Sequence, residues 1–169
     1  FSTIVTAVEQ GRVIYGNIRK FLVYLLSCNI SEILVVALAT FAGAPLPLLP
    51  LQILFLNMVT DIFPALALGV GEGAPGTMNK RPRPAREPLL TRPHWRLVGA
   101  YGLLISAVVL AAMYLALEVL GVDTQRAVTV SFLTLALAQL WHVFNLRAES
   151  RRWLRNEVTN NPWIWAAIV

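Results

Sequence analysis

Long apolar runs alternate with short polar segments along this chain, and the polar segments hold most of the charge. Positions 21–42, 48–70, 97–120 and 127–146 each form a run of the length a membrane helix needs, about 20 predominantly apolar residues. A fifth run opens at Pro162-Trp163-Ile164-Trp165 and covers 162–169, too short to complete a span. The expected fold is all-α: a polytopic bundle of transmembrane helices, about four complete spans plus the start of a fifth. Positions 1–20 read differently. Ile4, Val8, Ile14 and Ile18 recur among Glu9, Arg12, Arg19 and Lys20, the mark of an amphipathic helix. No Pro or Gly pair separates it from the first span, so 1–20 is expected to be a cytoplasmic stalk helix and 21–169 the membrane domain.

The connections set the topology. Gly43-Ala44-Pro45-Leu46-Pro47 is an uncharged turn between the first two spans. The connection 121–126 is also short and has a single basic residue, Arg126. Lys80, Arg81, Arg83, Arg86, Arg92 and Arg96 fall in 72–96, and Arg147, Arg151, Arg152 and Arg155 in 147–161. Basic loops stay on the cytoplasmic side, which places the N-terminus, 72–96 and 147–161 there. The Pro-rich loop 72–96 suits either a lipid-binding basic segment or a docking surface for a cytoplasmic domain. Trp163 and Trp165 fit an aromatic belt.

Composition agrees with a membrane protein. Of 169 residues, 57% are hydrophobic and only 14% charged, against about 25% charged in soluble domains. The net charge of +5 does not indicate nucleic acid, because the basic residues are confined between the apolar runs. A lone Cys28, in the middle of a span, excludes an internal disulfide framework and reads as a small packing residue.

Two of the apolar runs contain residues that are costly there. Ser27-Cys28-Asn29-Ile30-Ser31-Glu32 lies inside the first, and Leu56-Asn57-Met58-Val59-Thr60-Asp61 inside the second. Asn29 and Glu32 are three apart and share a helix face, as do Asn57, Thr60 and Asp61. All five offer oxygen, on neighbouring spans joined by a tight turn. Hard cations take six to eight such ligands from carboxylates, carbonyls and amides. Pro64 lacks the N–H that would bond to the Thr60 carbonyl, leaving that oxygen for the site or for a neighbour. Asn29, Asn57 and Thr60 taken singly also suit hydrogen bonding between helices, the role assigned to Ser27 and Ser31. Acids within a span mark ion or proton pathways, so Glu32 and Asp61 draw the group towards cation binding, with a proton-carrying pair as the alternative. Gln139, His142 and Asn145 form a further polar stripe on the fourth span. Gln139 lies deep enough to add an oxygen or to serve structure, while His142 and Asn145 suit contact with lipid headgroups.

At these residues the chain resembles the C-terminal membrane region of a P-type cation-transporting ATPase of the calcium-pump class, in its bacterial form. Asn29-Ile30-Ser31-Glu32 resembles the ion-binding motif of the fifth membrane helix. Asn57-Met58-Val59-Thr60-Asp61 with Pro64-Ala65 resembles the sixth, the most specific part of the match. Phe1-Ser2-Thr3-Ile4-Val5 and Val8-Glu9-Gln10-Gly11-Arg12 resemble the approach from the phosphorylation domain. Met78-Asn79-Lys80-Arg81-Pro82 resembles the loop before the seventh helix.

The resemblance implies that Asn29, Glu32, Asn57, Thr60 and Asp61 ligate the transported cation, most simply Ca²⁺, with Gln139 at a position where two-site pumps carry Glu and one-site relatives often carry Gln. Retention of Glu32 points the other way on the number of ions. It also implies partners: the lipid bilayer, an upstream phosphorylation domain and the first four membrane helices of the same parent chain. Mg²⁺ and ATP would bind in domains this sequence lacks. It has no Asp-Lys-Thr-Gly motif, so no catalytic or cofactor-binding residue is expected within it. The implied location is the plasma membrane of a bacterium. A secondary cation transporter or channel-like protein using the same oxygens is the competing reading.

Overall fold

The computed structural model describes residues 1–73, 76–79, 84, 86–147 and 156–168. Lys80, Arg81 and Arg83 of the first basic loop, and Arg151, Arg152 and Arg155 of the second, lie outside the described residues. Among those described there is no strand. Four helices are long and apolar enough to cross a membrane: α1 (Ser2–Phe41), α2 (Pro50–Gly69), α3 (Arg92–Val119) and α4 (Thr124–Leu146). A short α5 (Pro162–Ile168) follows. The all-α expectation and the count of four long spans both hold.

Helix α1 is 40 residues long and joins the amphipathic segment to the first span without interruption. At about 1.5 Å per residue it is roughly 60 Å long, twice the thickness of a hydrocarbon core. It ends at Gly43, whose φ of 67° suits the left-handed turn that closes a helix. The Ala44 N–H there returns to the Ala39 carbonyl at 3.0 Å. Pro50 then opens α2 in the first turn, where its missing N–H costs nothing. Helix α3 begins at Arg92, five residues before the expected 97, because Thr91 caps it: the Thr91 N–H donates to His94 Nδ1 at 3.2 Å. Asp123 caps α4 the other way round, its side chain accepting from the Arg126 backbone N–H at 3.3 Å.

Helix α1 is the axis of the bundle. It packs most extensively on α3, and then on the C-terminal half of α2. Helix α4 lies against α3, and α5 against α2. The α1–α3 approach is close because Gly102 faces α1: a Cβ there would sit 2.7 Å from Ile30 Cγ2. Ser106, one turn on, donates to the Ser31 carbonyl at 3.0 Å. Ser27 and Ser31 turn their hydroxyls back onto their own helix, at Val23 and Cys28. Glue therefore runs through the Ser31 backbone and the Ser106 hydroxyl. Many large apolar side chains, Leu51, Leu66, Val119 and Leu120 among them, are exposed, as lipid-facing positions would be.

Three departures from α geometry occur in these helices. Residues Leu56–Asp61 of α2 and Leu115–Val119 of α3 form π turns, and Val143–Leu146 of α4 is a 3-10 turn. The first falls on the polar motif of α2.

Candidate cation site

Helix α1 carries a stripe of Tyr24, Cys28 and Glu32 at intervals of four, so all three point into the bundle. Asn29 is one position off that stripe and only half-buried. Its Nδ2 donates to the Leu25 carbonyl of its own helix at 2.8 Å. Glu32 is 4% exposed and is held from two sides. Asn57 of α2 donates through Nδ2 to Oε2 at 2.8 Å, and Gln139 of α4 donates through Nε2 to Oε1 at 3.1 Å. One carboxylate thus ties three helices together.

Asp61 is the opposite case. It is 1% exposed, and among the described residues no N–H or O–H group donates to either carboxylate oxygen; the one donor facing it is the weak one of the Cys28 thiol. Its ionisable neighbours are Cys28 and Glu32 of α1. Thr60 is buried and gives its hydroxyl to the Leu56 carbonyl at 2.7 Å. Gln139 Oε1 is also buried without a partner. Unpaired buried acid and amide oxygens are destabilising unless something fills their lone pairs. A hard cation does this, because each oxygen becomes a ligand.

The backbone near the site is opened at two points. Pro64 supplies no N–H to the Thr60 carbonyl, and the π turn alters the register just before it. On α4, the change to 3-10 at Val143 loosens the pairing of the Gln139 carbonyl. Tyr24 serves both. Its hydroxyl lies 3.3 Å from the Thr60 carbonyl and 3.2 Å from that of Gln139. Its ring stacks on His142 at 5.8 Å between centroids, and Tyr101 approaches the same imidazole at 4.5 Å.

The structure therefore gathers Glu32, Asn57, Asp61 and Gln139, places Thr60 beside them, and leaves Asn29 at the edge. Tyr24 was not singled out from the sequence, although its spacing of four to Cys28 and eight to Glu32 was there to be read. The headgroup role for His142 is corrected. It is 2% exposed, enclosed by Tyr24 and Tyr101, while Asn145 remains exposed. Tyr24 of α1 and Tyr101 of α3 pack on the His142 ring and make it an interior group. Among the described residues no group of three or more His, Cys, Asp or Glu side chains clusters as a metal site. The oxygen set here is two acids supplemented by amides and carbonyls, the chemistry of a hard ion rather than of zinc.

A lipid-exposed helical bundle with a polar, acid-bearing centre defines the class: a polytopic membrane protein of ion-transport type. Residues 45–169 match the family described as cation transporting ATPase, C-terminus, and the chain belongs to that family. It is 42% identical over 169 residues to a calcium-transporting ATPase of Bacillus subtilis (strain 168), covering 99% of this chain and 19% of that protein. It is 33% identical over 168 residues to calcium-transporting ATPase 1 of Lactococcus lactis subsp. lactis, again 99% and 19%. A P-type sodium-transporting ATPase4 of Toxoplasma gondii is 48% identical over 95 residues, 56% of this chain and 7% of that protein. The chain thus spans about a fifth of the length of the calcium-transporting relatives.

Proposed function

We propose that this chain supplies the greater part of the membrane ion site of an ATP-driven pump that exports Ca²⁺ from the cytoplasm. Asn29, Glu32, Asn57, Thr60, Asp61 and Gln139 are the proposed ligands. The observation that carries this reading is the buried carboxylate of Asp61, faced by no donor stronger than the Cys28 thiol, beside a Glu32 held by two amides. Those amides present N–H₂ to Glu32. Rotation of the last side-chain torsion of Asn57 and Gln139 would present their oxygens instead, so one set of residues suits both the ion-free and the ion-bound state. The Thr60 carbonyl, released by Pro64, is a candidate backbone ligand.

Supporting this reading, the relatives that align with nearly the whole chain, at 42% and 33% identity, are named as calcium-transporting ATPases. In the proposed cycle, ATP phosphorylates an Asp in a part of the pump other than this chain, where ATP and Mg²⁺ also bind. Residues 1–20 form the proposed cytoplasmic stalk and 21–169 the transport domain. The loops 72–96 and 147–161 face the cytoplasm of a bacterium across its plasma membrane. The stalk and the Glu32 span are one continuous helix, which suits transmission of a two-state movement.

ATPase activity of the full-length protein across a panel of ions tests this. Stimulation by Ca²⁺ in the range of about 10⁻⁷–10⁻⁵ M, lost in Asp61→Asn, is the expected result. Stimulation by Na⁺ or K⁺ alone would overturn the calcium reading, and the sodium-transporting relative makes Na⁺ the ion to include first. Cation flux independent of ATP would instead favour a secondary transporter.

A further inference from the structure

The connection that enters α3 is fastened at both ends by side chains whose bonds depend on charge. At the α3 end, the Thr91 backbone N–H donates to His94 Nδ1 at 3.2 Å, and Thr91 Oγ1 lies 2.7 Å from the same nitrogen. An imidazole nitrogen that accepts from a backbone N–H carries no proton, so the ring is neutral and its proton sits on Nε2. At the α1 end, Arg19 donates through Nε to the Leu89 carbonyl at 2.9 Å and through Nη2 to Glu87 Oε1 at 3.3 Å. Nη2 also donates to the Tyr15 hydroxyl at 3.1 Å, and the guanidinium stands 5.0 Å over the Tyr15 ring.

The two fastenings meet at His94. Among the described residues, the charged groups that face its ring are Arg19 of α1 and Glu87 of the connection. Both are only partly exposed, so solvent screens them incompletely. A proton on Nδ1 weakens every contact at once. The Thr91 N–H then faces a donor in place of an acceptor, and α3 loses that cap. The Thr91 hydroxyl can turn to accept from the new Nδ1–H, but the backbone N–H stays without its acceptor. The imidazolium also repels the Arg19 guanidinium and competes with it for Glu87.

We propose that His94 is a proton-operated latch: with the ring neutral, the connection 87–91 is held to both α3 and α1, and protonation releases it from both. The latch is closed above the pKa of the ring and opens as pH falls through it. It senses the medium at the polar end of the bundle, which is the cytoplasm in the topology proposed above. Through Arg19 it acts on α1, the helix that also carries Glu32. None of its residues belongs to the proposed cation ligands, and its test needs no transported ion.

The test is hydrogen–deuterium exchange of the full-length protein in detergent at about pH 8 and about pH 5, which bracket the ordinary histidine value of about 6.5. Labelling times are scaled for the pH dependence of intrinsic exchange, and residues 101–113 within α3 serve as the internal reference. Residues 87–96 should exchange about fivefold faster at the lower pH, the scale of one lost helix cap. His94→Gln places a neutral acceptor at the same position of the capping box and should stay protected at both pH values. His94→Lys places a permanent cation without an acceptor there and should exchange fast at both. Equal protection of the parent at the two pH values overturns the proposal. So does a pH response undiminished in His94→Gln, which would assign the effect to Glu87. Protection of His94→Lys equal to that of the parent at about pH 8 overturns it as well. A lysine variant that fails to fold loses protection in 101–113, and His94→Gln then decides the outcome alone.

Discussion

Asp61 and Tyr24 show how a single side chain can favour function over stability, or the reverse. A carboxylate buried with only a thiol to donate to it weakens the fold in the absence of an ion, because a polar group left poorly paired in a low dielectric is costly whether it stays charged or takes up a proton. Asp61→Asn removes that cost. Thermal unfolding in detergent without Ca²⁺ should find it as stable as the parent, or more stable. Addition of Ca²⁺ should stabilise the parent by mass action and leave the variant unmoved. A variant stabilised by Ca²⁺ as strongly as the parent would remove Asp61 from the ligand set. Tyr24→Phe makes the converse prediction. It keeps the ring on His142 and deletes the hydroxyl shared by the Thr60 and Gln139 carbonyls. Leaving buried acceptors without that donor costs about 1–3 kcal/mol. Melting should fall accordingly, in the presence and absence of Ca²⁺ alike.

Helix α3 meets α1 so closely at Gly102 that one methyl group is enough to disturb the pair. Gly102→Ala should destabilise the bundle by about 1–3 kcal/mol, the usual range for overpacking. Ile30→Ala removes the Cγ2 atom that the new Cβ would strike. The double variant Gly102→Ala/Ile30→Ala should therefore be more stable than the sum of the single changes predicts. Strict additivity in thermal unfolding would show that the contact does not set the helix spacing.

The elements themselves were legible in the sequence, because a run of about 20 apolar residues leaves the backbone no choice but a helix. The acids were legible for the same reason, since Glu32 and Asp61 are anomalies of cost in such a run. What was not legible lies in irregular backbone and in third partners. The π turn at Leu56–Asp61 follows from no local propensity, although Pro64 marked its neighbourhood. The joint grip of Asn57 and Gln139 on Glu32 needs α4 beside α1, across a separation in sequence of 107 residues. His142 was misread as lipid-facing because a polar residue near a span end normally is. Only the packing of Tyr24 and Tyr101 around it makes it an interior group.

At the scale of the whole molecule, the polar end of the bundle is tied to α1 by contacts from two separate connections. Arg19 donates through Nε to the Leu89 carbonyl at 2.9 Å and pairs with Glu87 at 3.3 Å. Arg12 reaches the Thr77 carbonyl at 3.2 Å, and Asn17 the Gly69 and Gly71 carbonyls. Lys20 pairs with Glu157 at 2.9 Å, where the two side chains are 20% and 4% exposed. This last contact joins residues 137 apart and is shielded from water, unlike Arg126–Asp123, whose side chains are 78% and 57% exposed. Exposed pairs contribute about 0–1 kcal/mol, while loss of one partner from a buried pair leaves a charge without compensation. A double-mutant cycle on Lys20→Met and Glu157→Gln should therefore give a coupling of about 1–3 kcal/mol in thermal unfolding. The matching cycle on Arg126→Met and Asp123→Asn should give under about 0.5 kcal/mol. Salt separates them further: 0.5 M NaCl should abolish the second coupling and leave most of the first, since a shielded pair is poorly screened. If the two cycles agree, the C-terminal segment is not held to α1 by Glu157. A movement of α1 would then reach that segment only through the packing of the helices.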